Sequence, residues 1–408
     1  MRFTTVLLTG ALALFTTAAN AADKLVIAGR DAGFGKALAQ MVELYKTKNP
    51  GLEVELLQLP YAGLYEKTTI AMREKTGGYD VVMLDDTWAV ELMSKGWLAD
   101  LDKLGGLDAD FIKRTVDVSR YPVASGPLFA VPFVGNVAMF AYRKDLVAKH
   151  GGAPKSWTEV LKVAKAITAS EPGTAGVVFR GIKGNPIVTG FLPILWAHGG
   201  QVVDDKGAVV LDSAASIKAL ETFLALKASA PKGVETYNSS EVRDAMQQGK
   251  AAISIEMWPS WAPDLDDASK SKVPGLVEIS AAPGETRGPA PMLGAWLLAV
   301  PADSKNAKQA RAFIDFVTSA ENQKLIALET GNPPTRSSVY KDAAVVAKYR
   351  WYPAQLAALE VAEPRPRITQ WSKVESILGD YLQLALVGEM KADAAVKEAA
   401  AKIAAALK

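Results

Sequence analysis

The sequence predicts an α/β protein of two domains, and three features carry that expectation. Between residues 24 and 84, short apolar runs alternate with amphipathic stretches in the order strand, helix, strand, helix, strand, the pattern of a parallel α/β sheet. The chain has 408 residues, and at roughly 150 residues per domain that length suggests two. Residues 129–142 (FAVPFVGNVAMFAY) and 274–291 interrupt the alternation with prolines and glycines and read as connections between domains.

Residues 24–28 (KLVIA) form a short buried strand in this reading. Phe34, Leu38, Met41, Val42 and Tyr45 then recur at helical spacing, and Asn49-Pro50-Gly51 stops that helix. Residues 52–59 (LEVELLQL) begin as an apolar/polar alternation and read as a second strand. A helix over 61–75 is broken by Gly77-Gly78, and 79–84 (YDVVML) reads as a third buried strand. Past the first connection, Ser156-Trp157-Thr158-Glu159 has the pattern of a capping box. A strand at 176–179, a helix at 214–227 and a strand at 251–255 follow. Beyond the second connection come a strand at 296–300 and a helix at 307–318, then a break at Gly331-Asn332-Pro333-Pro334. Val374, Ile377, Leu378, Tyr381 and Ala385 form a helical stripe ended by Gly388. The alanine-rich stretch 392–407 reads as a packing helix, since it lacks the aromatics of a membrane-surface helix.

The N-terminus places the protein outside the cytoplasm. Arg2, an apolar run over 6–15 and Ala19-Asn20-Ala21 follow the charged, apolar and small-residue order of a secretory signal peptide, residues 1–21. The run is short of the ~20 residues a membrane span needs; an uncleaved anchor is the alternative. Net charge is +2 and no Lys/Arg run is interleaved with aromatics, so nothing points to nucleic acid. Cysteine is absent and the only histidines are His150 and His198. That composition leaves no thiol nucleophile and argues against a structural zinc site, and the sequence gives no reason to expect a metal or organic cofactor. Nine tryptophans hint at aromatic recognition surfaces.

In open α/β sheets ligands sit beyond the carboxyl ends of strands. Two loops fall there: residues 29–35, with Arg30 and Asp31, and Asp85-Asp86-Thr87-Trp88. A carboxylate accepts two neighbouring hydroxyls at once, and an indole can cover the C–H face of a sugar. Asp85, Asp86 and Trp88 therefore suit a saccharide; equally, Asp86 could cap the following helix with Trp88 packed beneath it. Arg30 and Asp31 could grip a charged or hydroxylated ligand, or form an internal ion pair or helix cap. Trp258, next to Pro259 at a strand end, would face a cleft or pack in the core. Gly294 permits close backbone approach, and Trp296 is a cleft or core residue. Arg336, after Pro333-Pro334-Thr335, is a ligand contact or a structural ion pair. Catalytic readings are weaker. Paired glycosidase carboxylates lie ~5–10 Å apart and flank a bond, and His198 lacks a G-x-S-x-G elbow to supply a nucleophile.

Several segments in this order resemble the solute-binding proteins of bacterial carbohydrate ABC importers, the maltose-binding group in particular. They are Asn49-Pro50-Gly51-Leu52-Glu53-Val54, Tyr79-Asp80-Val81-Val82 with Gly96-Trp97-Leu98-Ala99-Asp100-Leu101, and Tyr142-Arg143-Lys144-Asp145-Leu146. Pro154-Lys155-Ser156-Trp157-Thr158-Glu159, Gly249-Lys250-Ala251-Ala252-Ile253, Pro301-Ala302-Asp303-Ser304-Lys305-Asn306 and the tail from Pro366-Arg367-Ile368 to Gly388 complete them. The resemblance implies a type II periplasmic-binding-protein fold, with two lobes, each a mixed sheet flanked by helices, joined by a hinge of several segments. Lobe 1 would hold residues 22–133 and 290–336, lobe 2 residues 137–289 and 337–408, with crossings near 134–136, 285–291 and Ser337. It implies a periplasmic, monomeric receptor, without enzymatic activity, that closes on a sugar or polyol and delivers it to a membrane permease. Carried over by position, Arg30, Asp31, Asp85, Asp86, Asn136 and Trp258 would meet ligand, with Gly294, Trp296 and Arg336 beside them. Asn136 stands where the maltose binders' hinge has an acid, and the helix around Trp371 and Glu375 places its aromatic differently, which argues against maltose itself. Arg30, Arg180 and Arg336 leave open an anionic sugar derivative or other acidic solute; a secreted glycoside hydrolase is the alternative from another class.

Overall fold

The computed structural model describes residues 24–408; the signal-peptide expectation lies outside the described residues. Strands β1 (Lys24–Arg30), β2 (Glu53–Leu59), β3 (Val81–Asp85) and β4 (Ala130–Val134) belong to one sheet. Strands β5 (Met139–Arg143), β6 (Ile253–Met257) and β7 (Val277–Ser280) make a second. The chain then returns to the first sheet with β8 (Trp296–Ala299), giving the orders β2-β1-β3-β8-β4 and β6-β5-β7. β1, β2 and β3 are parallel, whereas β8 runs antiparallel between β3 and β4. β3, β4 and β8 are buried along their whole length, which is why they read as unbroken apolar runs. The reversed direction of β8 sets Trp296 opposite Asp85, so two residues far apart in sequence meet at one sheet edge.

The helix Ala32–Lys48 buries Leu38, Met41, Val42 and Tyr45 against the first sheet, the stripe that the spacing indicates. Gly388, at φ 88°, ends the helix Trp371–Val387 in the left-handed conformation that suits glycine. Two expectations change. The stretch 176–179 is not a strand of the ladder; Val178 makes only an isolated parallel bridge to Ser254 at the edge of β6. β7 lies inside the 274–291 stretch that reads as a connection, because Val277 and Ile279 point inward on alternate residues. The helix Asn185–Ala197, buried from Ile187 to Ala197, forms the centre of the second lobe. His198 follows its last turn, with Nε2 3.1 Å from the Thr222 hydroxyl, and burial lowers its pKa.

The chain crosses between the sheets from Val134 to Met139 and from Ser280 to Trp296. Past Ser337, where the third crossing is expected, Val339, Tyr340, Tyr352 and Leu359 join the core that holds Phe133 and Val134 of the first sheet and Met257 and Val277 of the second. Glu363 then exchanges backbone hydrogen bonds with Pro291 and Leu293, each 2.9 Å, which lays this crossing beside the second. Beyond it, the helices Trp371–Val387 and Ala392–Ala406 pack into the second-lobe core.

Candidate ligand cleft

Between the lobes lies a cleft of about 750 Å³. The ends of β1, β3 and β8 supply its first-lobe wall. Arg30, the last residue of β1, donates to Asp31 at 2.5 Å, and its guanidinium carbon lies 5.6 Å from the ring centroids of both Tyr61 and Trp296. Gly35 permits this turn, because a Cβ there would lie 2.1 Å from the Arg30 carbonyl oxygen. Trp296 also packs against Phe34 and Trp88, with centroids 5.7 Å away in each case.

The second-lobe wall is built on β6. Arg180 is buried and donates through Nε to Glu256 Oε2 at 3.1 Å and through Nη2 to Glu256 Oε1 and the Thr189 hydroxyl. Its guanidinium carbon lies 5.8 Å from the centre of the Trp258 ring. Gly294, opposite, has no side chain to keep that ring away: a Cβ would come within 2.8 Å of it. This contact joins the lobes at the floor of the cleft. Beside it Asn136, only 6% exposed, accepts through its backbone carbonyl from Gly294 N at 2.9 Å. Its side-chain Oδ1 is buried without a protein partner. A buried acceptor left so costs about 1–3 kcal/mol, which a ligand hydroxyl would remove.

Asp85 caps the helix Asp86–Ser94, accepting from Thr87 N at 3.1 Å and Thr87 Oγ1 at 3.0 Å. It also accepts from the Tyr61 hydroxyl at 3.2 Å and from Arg365 Nη2 at 2.7 Å. The same Nη2 donates to Asp86. The two carboxylates titrate as a pair. Burial opposes ionisation of Asp85, but the Arg365 charge and the Asp86 and Thr87 hydrogen bonds outweigh it and lower its pKa. Burial pushes Asp86 well above its ordinary value, and the Asp85 charge adds to the rise against the pull of Arg365. Two carboxylates on one guanidinium ionise less readily together than singly, which is the physical sense of this split. Nearby, Glu375 accepts from Asn185 Nδ2 at 2.9 Å and is raised by burial.

Arg30, Asp31, Asp85, Asn136, Trp258, Gly294 and Trp296 line the cleft. Three other sequence candidates do not. Asp86 is turned inward to Arg365. Trp88 is buried under Tyr61, with centroids 4.6 Å apart. Arg336 is held elsewhere, by Asp108 at 2.7 and 2.8 Å, by the Thr318 carbonyl, and by the Phe111 ring 4.0 Å away. Arg365 and Tyr61 line the cleft and were not among the candidates. For Arg365 the only local signal is the stiff Pro364-Arg365-Pro366 sequence, which holds a charged side chain in one direction.

Comparison with known proteins agrees with this fold. The model of the bacterial extracellular solute-binding protein family matches residues 28–324. A probable ABC transporter-binding protein of Deinococcus radiodurans is 29% identical over 81% of this chain and 80% of its own length. The structure of a maltose-bound MalE3 of T. maritima superposes with a TM-score of 0.83 at 29% identity, covering 94% of this chain and 99% of that one. A solute-binding protein of Agrobacterium radiobacter in complex with ribitol gives a TM-score of 0.84 at 27% identity, over 94% and 98% of the two chains.

Proposed function

Because the chain belongs to the bacterial extracellular solute-binding protein family, we propose that it captures a neutral sugar or polyol between its lobes and presents it to the permease of an ABC importer. One observation carries the choice of a neutral solute: the three most buried arginines of the cleft each hold a carboxylate. Arg30 pairs with Asp31, Arg180 with Glu256, and Arg365 with Asp85 and Asp86, while the more exposed Arg243, also on the lining, lies 3.7 Å from Asp244. Such pairs present polar groups at the cleft with the charge of each guanidinium balanced, which suits hydroxyls, at once donor and acceptor. An anion would find the Arg30, Arg180 and Arg365 guanidiniums already paired. Arg336, the third arginine of the anionic reading, is outside the cleft. Trp258 and Trp296 supply apolar faces for C–H groups.

The same pairing speaks against hydrolysis. Asp85 and Asp86 meet on one guanidinium nitrogen, whereas a glycosidase needs its two carboxyls on either side of the bond it breaks. Binding would proceed by closure. Arg30 and Trp296 stand on one lobe, Arg180 and Trp258 on the other, so a ligand touches all four only when the lobes meet. It favours that state by the difference in its affinity for the open and closed forms. The family places the protein outside the cytoplasm; cleavage of residues 1–21, release into the periplasm and a monomeric state complete the proposal. A thermal-shift panel of polyols, sugars and their acidic derivatives tests it. Stabilisation by a neutral member, abolished in Trp258→Ala, is expected; stabilisation by acidic members alone would overturn the neutral reading.

A further inference from the structure

The helix Asn185–Ala197 begins at the cleft, where Asn185 is part of the second-lobe wall. The helix Trp371–Val387 fixes that end. A Cβ on Gly379 would lie 3.0 Å from the N and Cα of Gly184, so the missing side chain lets the two backbones touch. One turn earlier on the same helix face, Glu375 meets Asn185, whose Nδ2 donates to Glu375 Oε1 at 2.9 Å. Pro186 follows and holds the backbone of this first turn at one φ. Glu375 itself is outside the cleft lining, so it can act on a ligand only through Asn185. A side-chain amide has a donor end and an acceptor end, whereas a carboxylate only accepts. Glu375 therefore takes the NH2 end of Asn185 and leaves the oxygen. Asn185 Oδ1 has no hydrogen-bond partner among the described residues and, unlike Asn136 Oδ1, is not sealed from solvent.

Resting on the carbohydrate reading above, we propose that Asn185 accepts a hydrogen bond from one ligand hydroxyl, and that Glu375 is a positioning residue that holds the amide in the accepting orientation. The wall then demands a group that can donate at that place. A hydroxyl meets the demand; hydrogen, fluorine or a methoxy group does not, because none of them carries a proton to give. Without Glu375 the amide is free to turn over and present its NH2, and the demand relaxes. A site built to bond a hydroxyl rejects the analogue that lacks it, because its own polar atom is left unpaired. Asn185 thus selects for a free hydroxyl at one position of the ligand, and Glu375 decides the sense of that selection without touching the ligand.

The test is a double-mutant cycle by titration calorimetry on the mature chain. The probe is the tightest binder of a sugar and polyol panel that includes ribitol, mannitol, glucose, maltose and maltotriose, with its monodeoxy, deoxyfluoro and O-methyl analogues. The proteins are wild type, Asn185→Ala, Glu375→Met and Glu375→Gln. At one hydroxyl position, deletion and fluorine should each weaken wild-type binding by about fivefold, and O-methylation at least as much. In Asn185→Ala the deoxy and fluoro changes at that position should cost less than about twofold, a coupling that a loss of stability alone does not produce. Glu375→Met should flatten the pattern in the same way, and Glu375→Gln, which keeps an acceptor oxygen, should restore it. An Asn185→Ala variant that keeps the wild-type sensitivity at every hydroxyl would overturn the contact. Fluorine tolerated as well as hydroxyl at the coupled position would overturn the accepting orientation, and a Glu375→Met variant with the wild-type pattern would overturn the positioning role. If neither Glu375 variant folds, the Asn185→Ala and fluorine comparisons decide. If no member of the panel binds wild type, the carbohydrate reading fails and this inference with it; if one binds without coupling to Asn185, only this inference fails.

Discussion

Gly294→Ala tests whether the lobes close onto each other through Trp258. The added Cβ would stand 2.8 and 2.9 Å from two carbons of the indole ring, where carbon atoms pack at about 3.5–4.0 Å. The ring would have to retreat by roughly 1 Å to restore ordinary contact. Retreat into the second lobe is resisted by Arg180, which faces the ring and is itself pinned by Glu256 and Thr189. The strain is therefore relieved by parting the lobes. Overpacking of this kind costs about 1–3 kcal/mol, and here it falls on the closed state, the one that binds. Affinity for the best sugar of the panel should drop by about 5- to 150-fold. The unfolding free energy of the ligand-free protein, from urea titration, should change by no more than about 0.5 kcal/mol. Titration calorimetry and chemical unfolding measure the two quantities. An alanine variant that binds as tightly as wild type would refute the reasoning, as would one whose ligand-free stability falls by the whole overpacking cost.

Asp86→Asn separates the two carboxylates by pH. The pKa of Asp86 is raised in the folded state above the ordinary 3.8, so its contribution to stability is present below that value and is lost as pH rises through the folded pKa. The asparagine variant should gain stability relative to wild type as pH is raised from about 4 to about 8. Asp85, whose pKa is lowered, has the opposite sign: its contribution is present above the unfolded value and is lost as pH falls through the folded one, so Asp85→Asn should be least tolerated near neutrality. Urea midpoints across that range check both. Arg336→Met should lower stability by about 1–3 kcal/mol, largely by leaving the Thr318 carbonyl unpaired, and should leave sugar affinity unchanged, which calorimetry on the folded variant would show.

The parts of the fold legible in the sequence are those where one face or both faces of an element are apolar at a clear period. β1 and β3 are short apolar runs, and the helix Ala32–Lys48 has one apolar stripe. The helix Asn185–Ala197 is apolar on every side and carries Pro193, so it offers no period to detect. β7 presents only Val277 and Ile279 inward, in a setting rich in proline and glycine. The site divides in the same way. Arg30, Trp258 and Trp296 stand at the ends of strands that the sequence displays, and strand ends are where clefts form. Arg365 acquires its role from Asp85 and Asp86, 280 and 279 residues earlier, and no local pattern encodes that meeting. Nor could sequence decide that Asp85, and not Asp86, caps the helix, since either carboxylate at that turn has a suitable spacing.

The segment from Arg350 to Arg367 is fastened to both lobes, and the strengths of its two ends decide which yields on opening. Arg350 grips the second lobe, with Asp266 at 2.8 Å and Glu278 at 3.0 Å. Arg365 and Arg367 grip the first, the former through Asp85 and Asp86, the latter through the Asp117 and Arg120 carbonyls. Arg350 is 35% exposed and Arg365 5%. Exposed ion pairs contribute about 0–1 kcal/mol, whereas parting a buried pair costs about 3–5. The Arg350 end should therefore let go first, and residues 362–367 should travel with the first lobe. Arg350→Ala removes the weaker grip, so the ligand-free protein should populate the open form more and show a larger radius of gyration in small-angle scattering. Apparent affinity scales with the fraction of molecules competent to close, and a grip of about 1 kcal/mol limits the loss to about fivefold. A wild-type radius together with wild-type affinity would mean that the Arg350 pairs survive opening, and that the flexing part of the third crossing lies at the Arg365 end instead.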